Sequence, residues 1–166
     1  MRWPFTKADT LPDAGPLYDA IVKEARRPDW YARAGVPDTL DGRFAVLSSL
    51  LALADIRLGE GDEDAQALSP RLTERFIADM DAQMRQEGFG DPGLGKQVRM
   101  LVGALASRID RLSGKEGDEW DAAAAGALYK PEELERGEVE LGVALLREMR
   151  ERLSHAGDAA LVAGHW

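Results

Sequence analysis

A chain of 166 residues, 45% hydrophobic and 7% aromatic, is long enough for one domain with its own core and too apolar for a disordered segment. Its 30 acidic residues against 21 basic ones give a formal charge of −9, which repels nucleic-acid phosphate and argues against general nucleic-acid binding. Cysteine is absent, which excludes disulfides, thiolate zinc sites and cysteine nucleophiles, and His155 and His165 lie so near the C-terminus that a histidine triad or multi-histidine metal centre is not expected.

The first residues, "MRWPFTKADTLPDAGP", hold one arginine and no continuous apolar region, so residues 1–14 are expected to be an N-terminal arm and not a secretory signal. Pro16 suits a first helical position, and Leu17, Ile21, Val22 and Ala25 follow helical spacing until Pro28 interrupts. A short helical piece, "PDWYARAG", carries Trp30 and Tyr31 and stops at Gly35. From about Thr39 to Leu58 the apolar positions Leu40, Phe44, Leu47, Leu51 and Leu58 recur, and Val46, Leu50, Leu53 and Ile56 widen the stripe. A helix this broadly apolar is predicted to be buried on most sides, at the centre of the fold.

"GEGDEDAQALSP" reads as a polar connection, with Ser69 and Pro70 as a cap-then-proline start for a helix whose face is Leu72, Phe76, Met80 and Met84 and whose end is Gly88. "GFGDPGLG", with its glycines and proline, predicts an irregular turn. Leu94, Val98, Leu101, Leu105, Ile109 and Leu112 then mark the clearest amphipathic helix, and Lys96, Arg99, Arg108 and Arg111 make its other side basic. After "SGKEGDE" comes an alanine-rich stretch with Trp120, Leu128 and Tyr129; Pro131 opens a last helix through Val139, Val143, Leu146, Met149 and Leu153. The tail, 156–166, is expected to pack in part. No repeat or strand alternation competes. The fold expected is all-α, a single compact helical domain of about six helices over 15–155, with Gly/Pro-rich connections. The longest strongly apolar run, Phe44 to Leu53, is about half of what a bilayer crossing needs, and a soluble, cytoplasmic protein is expected.

The candidate chemistry is thin. Asp62, Asp64 and Gln66 start like a calcium loop, but Ala67 and Thr73 stand where glycine and glutamate are needed, so a solvated acidic loop is expected. Asp79 and Asp81 in "DMD" point to nearly opposite sides of a helix and cannot share a ligand sphere; one is expected to face solvent and the other an arginine such as Arg85. "GFGDPGLGK" matches no phosphate-loop pattern. Trp3, Phe5, His165 and Trp166 put aromatics at both ends, where local packing is expected. The stretch "GVPDTLDGRF" makes a corner: Gly35 suits a left-handed helix stop, Val36 before Pro37 is extended, and Asp38 with Asp41 can cap and charge-match the next helix. Gly42 is a costly residue in a first turn, which points to something packed closely against it.

"YDAIVKEARRPDWYARAGVPDTLDGRF", followed by "DMDAQMRQEGFGDPGLGKQVRML" and "SRIDRL", closely resembles the ubiquinol–cytochrome c chaperone family, whose members assist assembly of the respiratory bc1 complex. The resemblance spans about Leu17 to Leu112. It implies an all-helical adaptor with no catalytic residues, no metal and no cofactor. Family members in mitochondria act with a small partner protein, bind newly made cytochrome b and associate with the ribosome that makes it. The N-terminus, without a presequence pattern, points to a bacterial-type member. One departure stands out: relatives often carry a histidine in the central helix, where this chain has Ser48 and Ser49.

The expected function is thus an assembly factor that binds cytochrome b or an early bc1 intermediate, with peripheral membrane contact. Its surface is expected to combine the "DWYARAGVPDTLDGRF" corner with the "DMDAQMRQEGFGDPGLGK" segment. Asp38, Arg43, Asp79, Asp81, Arg85 and Lys96 would position or recognise the partner, and Trp30, Tyr31 and Phe89 would supply contact area. Two other readings remain open. One is a helical enzyme or carrier of a quinone-like ligand with a pocket lined by Trp30, Phe44 and Met80. The other is a ribosome-docking module using Arg99, Arg108 and Arg111.

Overall fold

The computed structural model describes residues 12–135 and 138–166; the expectations for Trp3, Phe5 and most of the N-terminal arm lie outside them. Seven α-helices form among the described residues: α1 Gly15–Ala25, α2 Leu40–Gly59, α3 Glu63–Gln86, α4 Asp91–Leu112, α5 Gly117–Leu128, α6 Val139–His155 and α7 Asp158–Val162. A wide π-helical turn, Asp29–Arg33, follows α1, and a 3-10 turn, Pro131–Glu133, follows α5.

The broad apolar stripe makes α2 the centre. Every residue from Val46 to Ala54 is buried, and α2 touches α1, α3, α4, α5 and α6. Each fully buried leucine there contributes about 1.5–3 kcal/mol relative to an exposed one. Ser48 and Ser49 are also buried; their hydroxyls donate to the carbonyls of Phe44 (2.7 Å) and Ala45 (2.6 Å), which removes the cost of burying them. Leu40 departs from the expected stripe and points to solvent.

Helix α3 starts earlier than expected, at Glu63, and carries Pro70 inside it. Asp62 is the cap, accepting from the Ala65 N–H at 2.9 Å, and its own N–H donates to Asp158 at 2.8 Å. "GEGDEDAQALSP" is therefore mostly helix and not a polar connection, and the Asp62–Gln66 stretch is a capped N-terminus. The missing proline N–H is tolerated because Ser69 donates to Asp55 of α2 and Leu68 and Leu72 are buried on either side. Pro92, Gly93, Leu94 and Gly95 likewise lie in the first turns of α4, where a proline needs no N–H partner and Leu94 is buried. Only Glu87, Gly88, Phe89 and Gly90 make the turn. The helix expected from Pro131 is divided: Glu133 accepts the Lys130 N–H at 2.8 Å and closes a 3-10 turn, and α6 begins at Val139.

The tail folds as α7 against α1 and α3, with Leu161 buried and Trp166 packed against the core. Arg57 of α2 fastens this region. Its guanidinium donates to the carbonyls of Leu153 (3.1 Å) and Ala156 (2.8 Å), which are free at the end of α6, and to Asp158 (2.7 Å). The Asp62 N–H and the Arg57 guanidinium hold the Asp158 carboxyl below the ordinary aspartate value. A carboxyl so depressed stabilises the fold above its unfolded pKa and loses that contribution as pH falls through the folded one. Asp158→Asn is therefore expected to melt below the wild type at neutral pH, with the gap closing as pH falls below about 4. Thermal unfolding followed over a pH series checks this; a gap that stays constant or widens in acid contradicts it.

Candidate functional site

The corner between α1 and α2 forms because its aromatics complete the end of α1. The Trp30 indole donates to the Glu24 carbonyl at 3.1 Å and the Tyr31 hydroxyl to the Ala25 carbonyl at 2.8 Å. Gly35, at φ 68°, reverses the chain, and the Val36 N–H reaches back to the Trp30 carbonyl at 3.0 Å. Thr39, and not Asp38 or Asp41, caps α2, accepting from the Gly42 N–H at 3.1 Å. Gly42 has no room for a side chain: a Cβ would lie 1.8 Å from the Pro37 carbonyl oxygen.

The same corner leans on the α5–α6 connection. Tyr129 donates to the Ala34 carbonyl at 2.7 Å, and Lys130 pairs with Asp41 at 3.0 Å. Burial, helped by Glu138 and Glu133, pushes the Tyr129 phenol up to about 12, so it stays a donor at physiological pH. Arg43 pairs with Asp38 at 2.7 Å with both side chains more than half exposed, a pair that orders the surface more than it stabilises it. That hydrogen bond raises the Arg43 pKa, and burial followed by the Asp38 charge raises that of Tyr31.

At the far end of α3 the two aspartates diverge, as helical spacing requires. Asp81 pairs with Arg85 at 3.0 Å. Asp79 accepts from the Tyr18 hydroxyl of α1 at 2.5 Å, so its partner is a tyrosine and not an arginine. Burial first, and then this bond, hold the Tyr18 phenol far above its usual value. Helix α3 ends in paired backbone bonds, Phe89 N–H to the Met84 carbonyl and Gly88 N–H to the Arg85 carbonyl, with Gly88 at φ 91°. This closure leaves the Phe89 ring outside, and Lys96 is exposed one turn into α4.

The short link between α2 and α3 makes them antiparallel neighbours, and the rings of Phe44 and Phe76 meet at 6.1 Å. From that level α2 runs back one turn to Leu40 while α3 runs on nearly three turns to Gln86, so the α3–α4 turn stands about 9 Å beyond the start of α2. The corner and the turn thus share one end of the bundle. The large exposed apolar side chains among the described residues are Leu40 (46%), Phe89 (40%), Met100 (58%) and Leu134 (43%). Leu40 and Phe89 belong to that end, and Leu134 follows Lys130, which pairs there with Asp41, by four residues.

Two expected site residues turn out to be structural. Trp30 is 1% exposed and fills the core beneath the corner, so it offers no contact area. Arg108 is drawn inward: it donates to the Ala127 carbonyl at 3.1 and 2.9 Å and to Ala104 at 3.2 Å, with its guanidinium 5.4 Å from the centre of the Phe44 ring. It completes the end of α5, and burial lowers its pKa to about 10. A ribosome-facing stripe of Arg99, Arg108 and Arg111 therefore lacks its middle member. The positions expected to line a ligand pocket, Trp30, Phe44 and Met80, pack within or against the core. Two cavities lie elsewhere: a void of about 10 Å³ beside Asp55 and an open cleft between α1 and α3. Among the described residues no helix is long and apolar enough to cross a membrane.

Leu40 and Leu134 are absent from the expected site. Leu40 reads as part of the apolar stripe of α2, and Leu134 as an ordinary residue of the last helix; only the three-dimensional arrangement exposes both.

The family model for the ubiquinol-cytochrome C chaperone matches residues 32–166. This match runs well past Leu112, where the sequence resemblance ends, and begins after Leu17, where that resemblance starts. The crystal structure of the Cbp3 homolog from Brucella abortus is similar to this chain, with a TM-score of 0.70 and 31% identity, covering 90% of this chain and 84% of that one. Among curated proteins none matches.

Proposed function

The chain belongs to the ubiquinol-cytochrome C chaperone family, and from that premise we propose that it is a non-catalytic assembly factor for the cytochrome bc1 complex. It binds cytochrome b, or an early intermediate containing it, through the end of the bundle where the corner meets the α3–α4 turn. The observation that carries this reading is the exposure of the apolar side chains of Leu40, Phe89 and Leu134, two of them at the same end of the α2–α3 pair and the third four residues from the Lys130–Asp41 link. A chaperone for a membrane subunit must hold apolar side chains against its client while a charged rim keeps the free protein in solution. Here the rim is Asp38–Arg43, Asp41–Lys130, Asp81–Arg85 and Lys96. Asp79 acts indirectly, by fixing α3 to α1 through Tyr18, and Tyr31 keeps the corner in shape through Ala25. The protein works from the aqueous side, touching the membrane at its periphery.

The test is bc1 content. In cells whose chromosomal copy carries Leu40→Ser with Phe89→Ser, bc1 haem measured spectroscopically in membranes is expected to fall several-fold while the chaperone itself accumulates normally. Normal bc1 content with that double variant removes this surface from the account.

A further inference from the structure

The open cleft between α1 and α3 has a volume of about 550 Å³, within the range of small-molecule sites, about 300–1,000 Å³. Val22 of α1 and Ala78 of α3, both short, are among its lining residues. Val22 and Lys23 of α1, with Arg26 just past its end, line one side at helical spacing, and Arg75, Ala78 and Asp79 of α3 line the other. Lys23, Arg26 and Arg75 all open onto this cleft, although acidic residues outnumber basic ones, 30 to 21, in the whole chain.

The lining also holds two carboxylates, Asp19 and Asp79, against the three cations, which leaves it net positive. Asp79 accepts from the Tyr18 hydroxyl and makes no ion pair with the three cations. Asp19 reaches Arg75 only at 3.8 Å, with the two side chains 74% and 51% exposed, a pair weak enough to yield to a better anion. The side chains of Lys23 and Arg26 are exposed and make no hydrogen bond or ion pair among the described residues. Three cations, two of them without a partner, therefore line the cleft together with the short apolar side chains of Val22 and Ala78. Arginine forks and a lysine ammonium suit a phosphate group, which presents several oxygens to several donors at once.

We propose that this cleft binds a phosphate ester, with its phosphate between Lys23, Arg26 and Arg75 and its carbon portion over Val22 and Ala78. The same chemistry is offered by a soluble phosphate ester and by the glycerophosphate headgroup of an anionic lipid. The site stands on the cleft and its cations and does not depend on the assembly-factor reading.

The experiment uses the full chain with two probes at low salt: glycerol phosphate, followed by NMR titration of backbone amides, and flotation with phosphatidylcholine vesicles with or without phosphatidylglycerol. Lys23→Ala with Arg26→Ala is the comparison, its fold checked by thermal unfolding. Saturable shifts around Val22 and Ala78 with glycerol phosphate, weakened about thirtyfold in the variant, support the site with a soluble ligand. Flotation that requires phosphatidylglycerol and fails in the variant, without response to glycerol phosphate, supports it with a lipid headgroup. Binding of neither probe, or equal binding by wild type and variant, overturns the proposal.

Discussion

Trp30→Ala is expected to destabilise the protein by about 3–5 kcal/mol, which lowers the unfolding midpoint by on the order of 10 °C in a domain of this size. The indole fills the core under the corner and satisfies the Glu24 carbonyl. Alanine leaves a cavity and an unpaired acceptor where α1 ends. Phe89→Ser should behave in the opposite way: its ring is 40% exposed, so stability should change by no more than about 0.5 kcal/mol while client binding is lost. Far-UV circular dichroism melts of both variants, beside capture of the client, separate a core aromatic from a contact aromatic. A Trp30→Ala protein that melts like the wild type and yet fails to capture its client would return Trp30 to the binding surface.

Gly42→Ala should cost about 1–3 kcal/mol, the usual range for overpacking. The Cβ would meet the carbonyl oxygen of Pro37 at 1.8 Å, and a backbone atom cannot rotate away as a side chain can. The corner would have to open, shifting Arg43 and Asp41 from their partners Asp38 and Lys130. Gly103→Ala is the control. Gly103 lies inside α4 with nothing within 4 Å of the added methyl, so helix propensity alone predicts a gain of about 1 kcal/mol. Urea unfolding of the two variants reads the difference directly. Equal effects, or a neutral Gly42→Ala, would mean that the corner is not rigid.

The sequence carries the fold where local pattern and final packing agree. The breadth of apolar residues from Phe44 to Leu58 identifies α2 as central, and the costly glycine at position 42 points to the close approach that Pro37 makes. Legibility fails where a distant residue decides. Ser69-Pro70 has the local chemistry of a helix start, yet α3 begins at Glu63 behind the cap Asp62, which Asp158 holds from 96 residues away. Arg108 sits on the basic side of an amphipathic helix and reads as surface; the carbonyl it serves belongs to Ala127 on another helix.

The candidate site divides along the same line. Phe89, isolated between Gly88 and Gly90, is legible as an exposed ring because a turn gives it nothing to pack against. The burial of Trp30 is not legible, since it depends on how the corner closes over the core and leans on the connection between α5 and α6. Leu40 and Leu134 reach the surface only through the geometry of that end of the bundle.

The most direct measurement is affinity capture of the tagged protein from its own detergent-solubilised cells, with bound proteins identified by mass spectrometry. Cytochrome b is expected to be enriched over other membrane proteins by the wild type and lost with Leu40→Ser and Phe89→Ser at unchanged chaperone level. Cells that contain the bc1 complex and yet yield no cytochrome b with the wild-type protein would contradict this expectation.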